Sequence, residues 1–171
     1  MGVGNHVLEN IREQKAKQTE DKEKERFNLV QLRETDCQFQ VKYKDIDKYG
    51  IVVDYISLSK NVPIMDVDVI NKRLEKQAEA VQKTITYLLE DFRLIEFDKM
   101  NKRAQLRSYP PHKKGDSKFY YEIVLDEGTR LHFQRYEYSS AKRRYEKITS
   151  QLTLETFERL IDDLFKILCA D

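Results

Sequence analysis

The residues most able to do chemistry are few. The chain has three histidines, His6, His112 and His132, and two cysteines, Cys37 and Cys169. No histidine stands one helical turn from another or beside a Cys or Glu at ligand spacing, so the sequence predicts no metal site. His132 falls in a strand-like segment and His112 in a loop, and each reads as an ordinary polar residue rather than a general base. No Ser or Cys lies in a nucleophile elbow of the GxSxG kind. There are 5 glycines, two of them within the first four residues, too few to build a phosphate-cradling loop. No cofactor is expected. Asp66 and Asp68 open a predicted helix, where the dipole favours negative charge without any catalytic role. Asp116-Ser117-Lys118 resembles the acid-x-Lys element of metal-dependent nucleases, with Asp98 as an upstream ligand. That element belongs in a strand, and here it reads as a loop. The chain is therefore expected not to be an enzyme.

Charge carries more information. The net charge is +1, but it is segregated. Residues 99–147 hold thirteen Lys and Arg against six Asp and Glu, while residues 36–98 hold nine against twelve. Two loops concentrate the excess. One is Pro110-Pro111-His112-Lys113-Lys114-Gly115-Asp116-Ser117-Lys118, the other Ala141-Lys142-Arg143-Arg144-Tyr145-Glu146-Lys147. Tyr109, Tyr120, Tyr136, Tyr138 and Tyr145 are interleaved with them. Cations beside aromatic rings suit a phosphate backbone and stacked bases, although solvated hairpin ends would look the same. The expected partner-binding residues are Lys113, Lys114, Lys118, Lys142, Arg143, Arg144 and Tyr145. No named nucleic-acid motif accompanies them.

The elements that must position these residues follow from periodicity. Residues 1–35 read as a charged N-terminal helix or arm, helical over about 5–35, with the i,i+4 pairs Glu13/Lys17 and Glu20/Lys24 on its polar centre. Residues 36–171 read as one α+β domain. Cys37, Phe39, Val41 and Tyr43 alternate with polar residues, a half-buried strand. Ile51 to Leu58 reads as apolar on both faces, and Pro63 ends that region. Val67, Ile70, Leu74, Ala78, Val81, Ile85, Leu88 and Phe92 recur every three or four residues, which predicts one long central helix capped by Asp66. Strands follow at Ile95–Asp98, Arg103–Tyr109, Phe119–Leu125, Arg130–Tyr138 and Arg144–Ile148, the hairpin at Asp126-Glu127-Gly128-Thr129 being the clearest. Thr153 caps a last helix with a broad apolar stripe. The fold expected is a single antiparallel sheet of about six strands with a long central helix, a C-terminal helix and the long charged N-terminal helix.

The two cysteines, far apart and outside any CxxC pair, read as buried small side chains rather than a disulfide. The first residues lack the build of a signal peptide, and no apolar run approaches the roughly 20 residues of a membrane span. The cytoplasm is the expected location and a membrane is not an expected partner. The order of elements is loosely similar to small chaperone-like α+β dimers, at the level of architecture only. The function expected is a non-enzymatic interaction module, adaptor or chaperone-like, that self-associates into a homo-oligomer through its helix faces. Nucleic acid bound by segment 99–147 is the alternative partner.

Overall fold

The structure is a computed structural model and describes residues 2–17, 27–62 and 66–169. Among these residues the chain forms three helices and ten strands. In order they are α1 (Val3–Lys17), β1 (Asn28–Glu34), β2 (Cys37–Ile46), β3 (Gly50–Lys60), α2 (Val67–Thr84), β4 (Asp91–Asp98), β5 (Arg103–Tyr109), β6 (His112–Lys114), β7 (Ser117–Asp126), β8 (Arg130–Ser139), β9 (Arg144–Ile148), β10 (Ser150–Thr153) and α3 (Leu154–Cys169). All strands join one antiparallel sheet in the order β1-β2-β3-β8-β7-β5-β4. The second edge of β3 is shared. Tyr55 to Ser59 pair with β8, and Gly50 to Val53 pair with β10. The far half of β8 pairs with β9, so the chain crosses from β8 to β3 at Thr149.

Alternation decides which face is covered. Phe39, Val41 and Tyr43 of β2, Ile51, Val53, Ile56 and Leu58 of β3, Ile123 and Leu125 of β7, and Leu131 and Phe133 of β8 are all buried. They meet Ile70, Leu74, Ala78 and Val81 of α2 and Phe157, Leu160, Ile161 and Leu164 of α3 in one core. Each such side chain contributes roughly 1.5–3 kcal/mol of burial, so the helices are fixed to this one face. Helix α1 joins them through Val7, Leu8 and Ile11. Its Gly4 lies so close to α3 that a Cβ there would sit 2.2 Å from the Glu158 carbonyl oxygen. The Gly4 N–H donates to Asp162 Oδ1 at 2.7 Å, which satisfies one of the unpaired donors at the start of a helix.

Several expectations are corrected. The sheet has ten strands rather than about six, because β6 and β10 carry too few residues to show a period and β1 falls within the expected N-terminal helix. The N-terminal helix is short, and Leu29, Val30 and Leu32, expected in its last turns, lie in β1. Their spacing fits either period, and pairing with β2 decides it. What is described of residues 1–35 packs on the same core. The Glu20/Lys24 pair and Pro63 lie outside the described residues. The central helix stops at Thr84. Ile85 and Phe92 keep the helical spacing only because a coil residue and a strand residue reach the same core. Asp66 is the N-cap residue, but its side chain makes no capping hydrogen bond. Strand β3 is not apolar on both faces, since Tyr55, Ser57 and Ser59 stand on the uncovered side. The cysteines are bonded to each other. Cys37 begins β2 and Cys169 ends α3, with Cα atoms 6.5 Å apart, inside the range a disulfide spans. Sequence separation hid that contact. Thr153 caps α3 as expected, its Oγ1 accepting from the Thr156 N–H at 3.1 Å.

Candidate functional site

With the three helices on one face, no described element covers the other face of the sheet. At its centre β3 and β8 are in register, so Ser57 lies directly opposite His132 and Tyr55 opposite Gln134. Ser57 Oγ is 2.5 Å from His132 Nδ1, and His132 Nε2 is 3.2 Å from Gln134 Oε1. The Gln134 amide nitrogen donates to the Asp54 carbonyl oxygen at 2.8 Å and to its Oδ1 at 3.1 Å. That commits the Gln134 oxygen to face the imidazole. The proton therefore sits on Nε2, and Nδ1 accepts from the Ser57 hydroxyl. Burial holds the His132 pKa below its usual value, and the nearby Lys147 charge acts in the same direction. A serine hydroxyl on a neutral, oriented imidazole is the arrangement of an activated nucleophile. Acyl transfer also needs donors for the developing oxyanion. Here β3 is hydrogen-bonded to β2 on one edge and β8 on the other, so its N–H groups around Ser57 are committed to the sheet. The cluster is a satisfied polar network that holds a neutral histidine in the face.

A cavity of about 750 Å³ opens over this network, with walls that include Arg33, Gln38, Gln40, Arg103, Tyr136 and Lys147. Its carboxylates are already engaged. Glu122 accepts from Arg107 Nε and Gln105 Nε2, each at 3.0 Å, and Asp126 accepts from Arg130 at 2.8 Å. Among the described residues Arg33, Arg103 and Lys147 have no ion pair, so the wall is net basic.

Tyr136 and Lys147 are paired in register, and they link the cavity to a cluster of rings. Tyr120 and Tyr136 stack at 5.6 Å, Tyr120 meets Tyr145 edge-on at 6.1 Å, and Tyr138 lies 4.6 Å from Tyr145. The Arg107 guanidinium sits 4.7 Å from the Tyr120 ring centre and 5.6 Å from that of Tyr145. Burial raises the pKa of both Tyr120 and Tyr136, so these phenols stay uncharged at neutral pH. Tyr145 is 55% exposed and presents an open ring.

The two basic loops meet at this end of the sheet. The Ser140 N–H and hydroxyl, beyond β8, both donate to the Asp116 carbonyl oxygen in the β6–β7 turn at 2.9 Å. One row of paired residues runs Lys113, Lys118, Tyr138, Tyr145 across β6, β7, β8 and β9. Side chains in one row share a face, and Tyr138 and Tyr145 place this row on the uncovered side. The next row, Lys114, Ser117, Ser139, Arg144, points the other way, and Arg144 pairs with Glu146 at 2.8 Å. Lys142 and Arg143 lie in the turn, Arg143 with a left-handed φ of 51°. Of the seven residues read from the sequence, Lys113, Lys118 and Tyr145 come together on the face, Lys142 and Arg143 flank it, and Lys114 and Arg144 stand behind it.

Arg103, Arg107, Arg33 and the Ser57–His132 pair were not found by sequence reasoning. The alternation Tyr55, Ser57, Ser59 was the available signal that β3 has a polar face. Asp98 is tied to the Asn101 N–H and side chain at 3.0 and 2.7 Å. Among the described residues no group of three His, Cys, Asp or Glu could hold a metal ion. No helix among them is long and apolar enough to cross a membrane. No family model matches the chain, and neither the curated proteins nor the solved structures contain a match to it.

Proposed function

We propose that this protein is a non-enzymatic binding module whose uncovered sheet face takes a single-stranded nucleic acid. The observation that carries the reading is the row Lys113, Lys118, Tyr138, Tyr145. Two lysines directly opposed across a strand pair repel one another, and a phosphate between them would turn that repulsion into attraction. The adjoining rings offer stacking surface of the kind that tolerates any base. The cavity walls add amides and cations at the depth where base edges would lie. Self-association through helix faces has less support, because the apolar stripes of α2 and α3 are buried in the chain's own core.

The test is fluorescence anisotropy of a labelled mixed-sequence single-stranded 12-mer at low salt. Saturable binding that weakens with salt supports the reading, and absence of binding at low salt ends it. A duplex of the same sequence should bind more weakly, since its bases are not free to stack on the tyrosines.

A further inference from the structure

Strand β4 ends the sheet. Among the described residues it pairs only with β5, so the N–H and C=O groups of its outer edge lack strand partners. Such an edge is a template for another strand unless something guards it. Its apolar side chains are also open: Leu94 is 40% exposed and Ile95 51%, with Leu89 at 69% and Met100 at 91% in the flanking segments. We propose that β4 is a self-association edge, and that two copies pair their β4 strands antiparallel about a two-fold axis between Leu94 and Ile95.

The register is set by chemistry and by one irregularity. Centring the axis there puts Leu94 opposite Ile95 of the second copy, Arg93 opposite Glu96, and Phe92 opposite Phe97. Opposed residues must lie on the same face. In a regular strand Arg93 and Glu96, three apart, would lie on opposite faces. In β4 a bulge at Ile95 shifts the pairing with β5, and it brings them together. Arg93 pairs with Arg107, and Glu96 with Gln105. Arg107 and Gln105 both reach Glu122 on the uncovered face, so Arg93 and Glu96 share that face. Phe92 pairs with Ser108 and Phe97 with Ala104, both buried on the helix side, so the two phenylalanines share the other. The bulge thus makes the strand complementary to itself, with two Arg–Glu contacts on the uncovered side and the exposed Leu94 and Ile95 meeting at the axis, while Phe92 stays buried in its own core. Asp91 faces Asp98 at each outer end, where Asp98 already accepts from Asn101. The ten-stranded sheet of one copy would continue into the next.

The experiment is sedimentation equilibrium of the full chain with two charge reversals on exposed positions. The wild type is expected to be a dimer. R93E and E96R each set like charges opposite one another twice per dimer, and each should raise the dimer dissociation constant about tenfold or more. An equimolar mixture of R93E and E96R restores opposite charges at both contacts and should recover the dimer as a heterodimer. Circular dichroism of each variant checks that the fold persists. A monomeric wild type, single variants that dimerise like the wild type, or a mixture that stays monomeric would each overturn the proposal. Mass that grows without limit with concentration would do so too, since it signals a head-to-tail contact. None of these readouts depends on nucleic acid.

Discussion

Removing Lys113 and Lys118 together should flatten the salt dependence of single-strand binding by a definite amount. Around the cavity and the lysine row, the uncovered face carries five cations with no ion pair among the described residues: Arg33, Arg103, Lys113, Lys118 and Lys147. If each meets one phosphate, the logarithm of the binding constant should fall with the logarithm of salt at a slope of about −3.5, from roughly −0.7 per contact on a single strand. Raising salt from about 50 to 200 mM then costs about a hundredfold in affinity. Alanine at Lys113 and Lys118 removes two contacts and should bring the slope to about −2.1. The assay is anisotropy of the labelled 12-mer at four salt concentrations. Lys72 and Lys76, exposed on α2, are the control. K72A/K76A removes the same charge from the covered side of the sheet and should leave the slope near −3.5. Y145A tests the rings separately. Loss of one stacked base costs about 1–3 kcal/mol, roughly 5- to 150-fold in affinity, at every salt concentration. Equal slopes for wild type and K113A/K118A, or equal loss in both lysine pairs, would refute the reasoning, because binding would then follow net charge rather than this face.

Four further outcomes test the physical account. Replacing Lys118 by Thr relieves the repulsion with Lys113 and should stabilise the unliganded protein by a few tenths to about 1 kcal/mol while weakening binding; urea denaturation measures it, and a destabilised variant would contradict the repulsion. His132 is held neutral, so its folded pKa lies below the unfolded value of about 6.5. Its contribution is complete above that pH and is lost as pH falls toward the depressed folded value, at no more than about 1.4 kcal/mol per pH unit; H132Q should remove that part of the acid dependence, and an unchanged pH profile would refute it. Linking Cys37 to Cys169 closes a loop with a sequence separation of 132, worth up to about 5 kcal/mol by chain entropy; chemical denaturation with and without reductant should differ for wild type and agree for C169A. Gly4→Ala sets a methyl against the Glu158 backbone and should cost about 1–3 kcal/mol, read as a lower melting temperature.

Local pattern and long-range register account for what the sequence could and could not tell. The alternation from Cys37 to Tyr43, the Glu127-Gly128 turn with both residues at positive φ, and the Thr153 cap of α3 are all written in neighbouring residues, and each was legible. The failures share one cause. Ser57 and His132 are 75 residues apart, and only the register of β3 on β8 makes them partners. Cys37 and Cys169 meet because α3 runs back to the start of β2. The end of α2 was hidden for a related reason. Ile85 and Phe92 are apolar because the core reaches them, whatever their backbone does, so the helical spacing outlives the helix. The basic segment was visible as composition, but strand alternation divides it. Lys113 and Lys118 face one way while Lys114 and Arg144 face the other, and no count of charge along the chain separates them.

The covered face of this sheet accounts for stability and leaves little over. Every stripe that the sequence offered as a docking surface for a partner, on α1, α2 and α3, is used to close the core. On the proposed reading, recognition falls to what the helices do not reach: the uncovered face and the strand edges, β4 among them. The uncovered face is not a default solvated surface, because its centre is ordered. Gln134 and Asp54 fix His132, His132 fixes Ser57, and Glu122 fixes Arg107 against the tyrosines. Such networks cost conformational freedom and bury polar groups with little gain in stability. They do hold donors, rings and cations in set positions before a ligand arrives, which lowers the ordering cost of binding. The repulsive lysine row is the complement of that order, a place where the unliganded fold gives up stability that an anion would return.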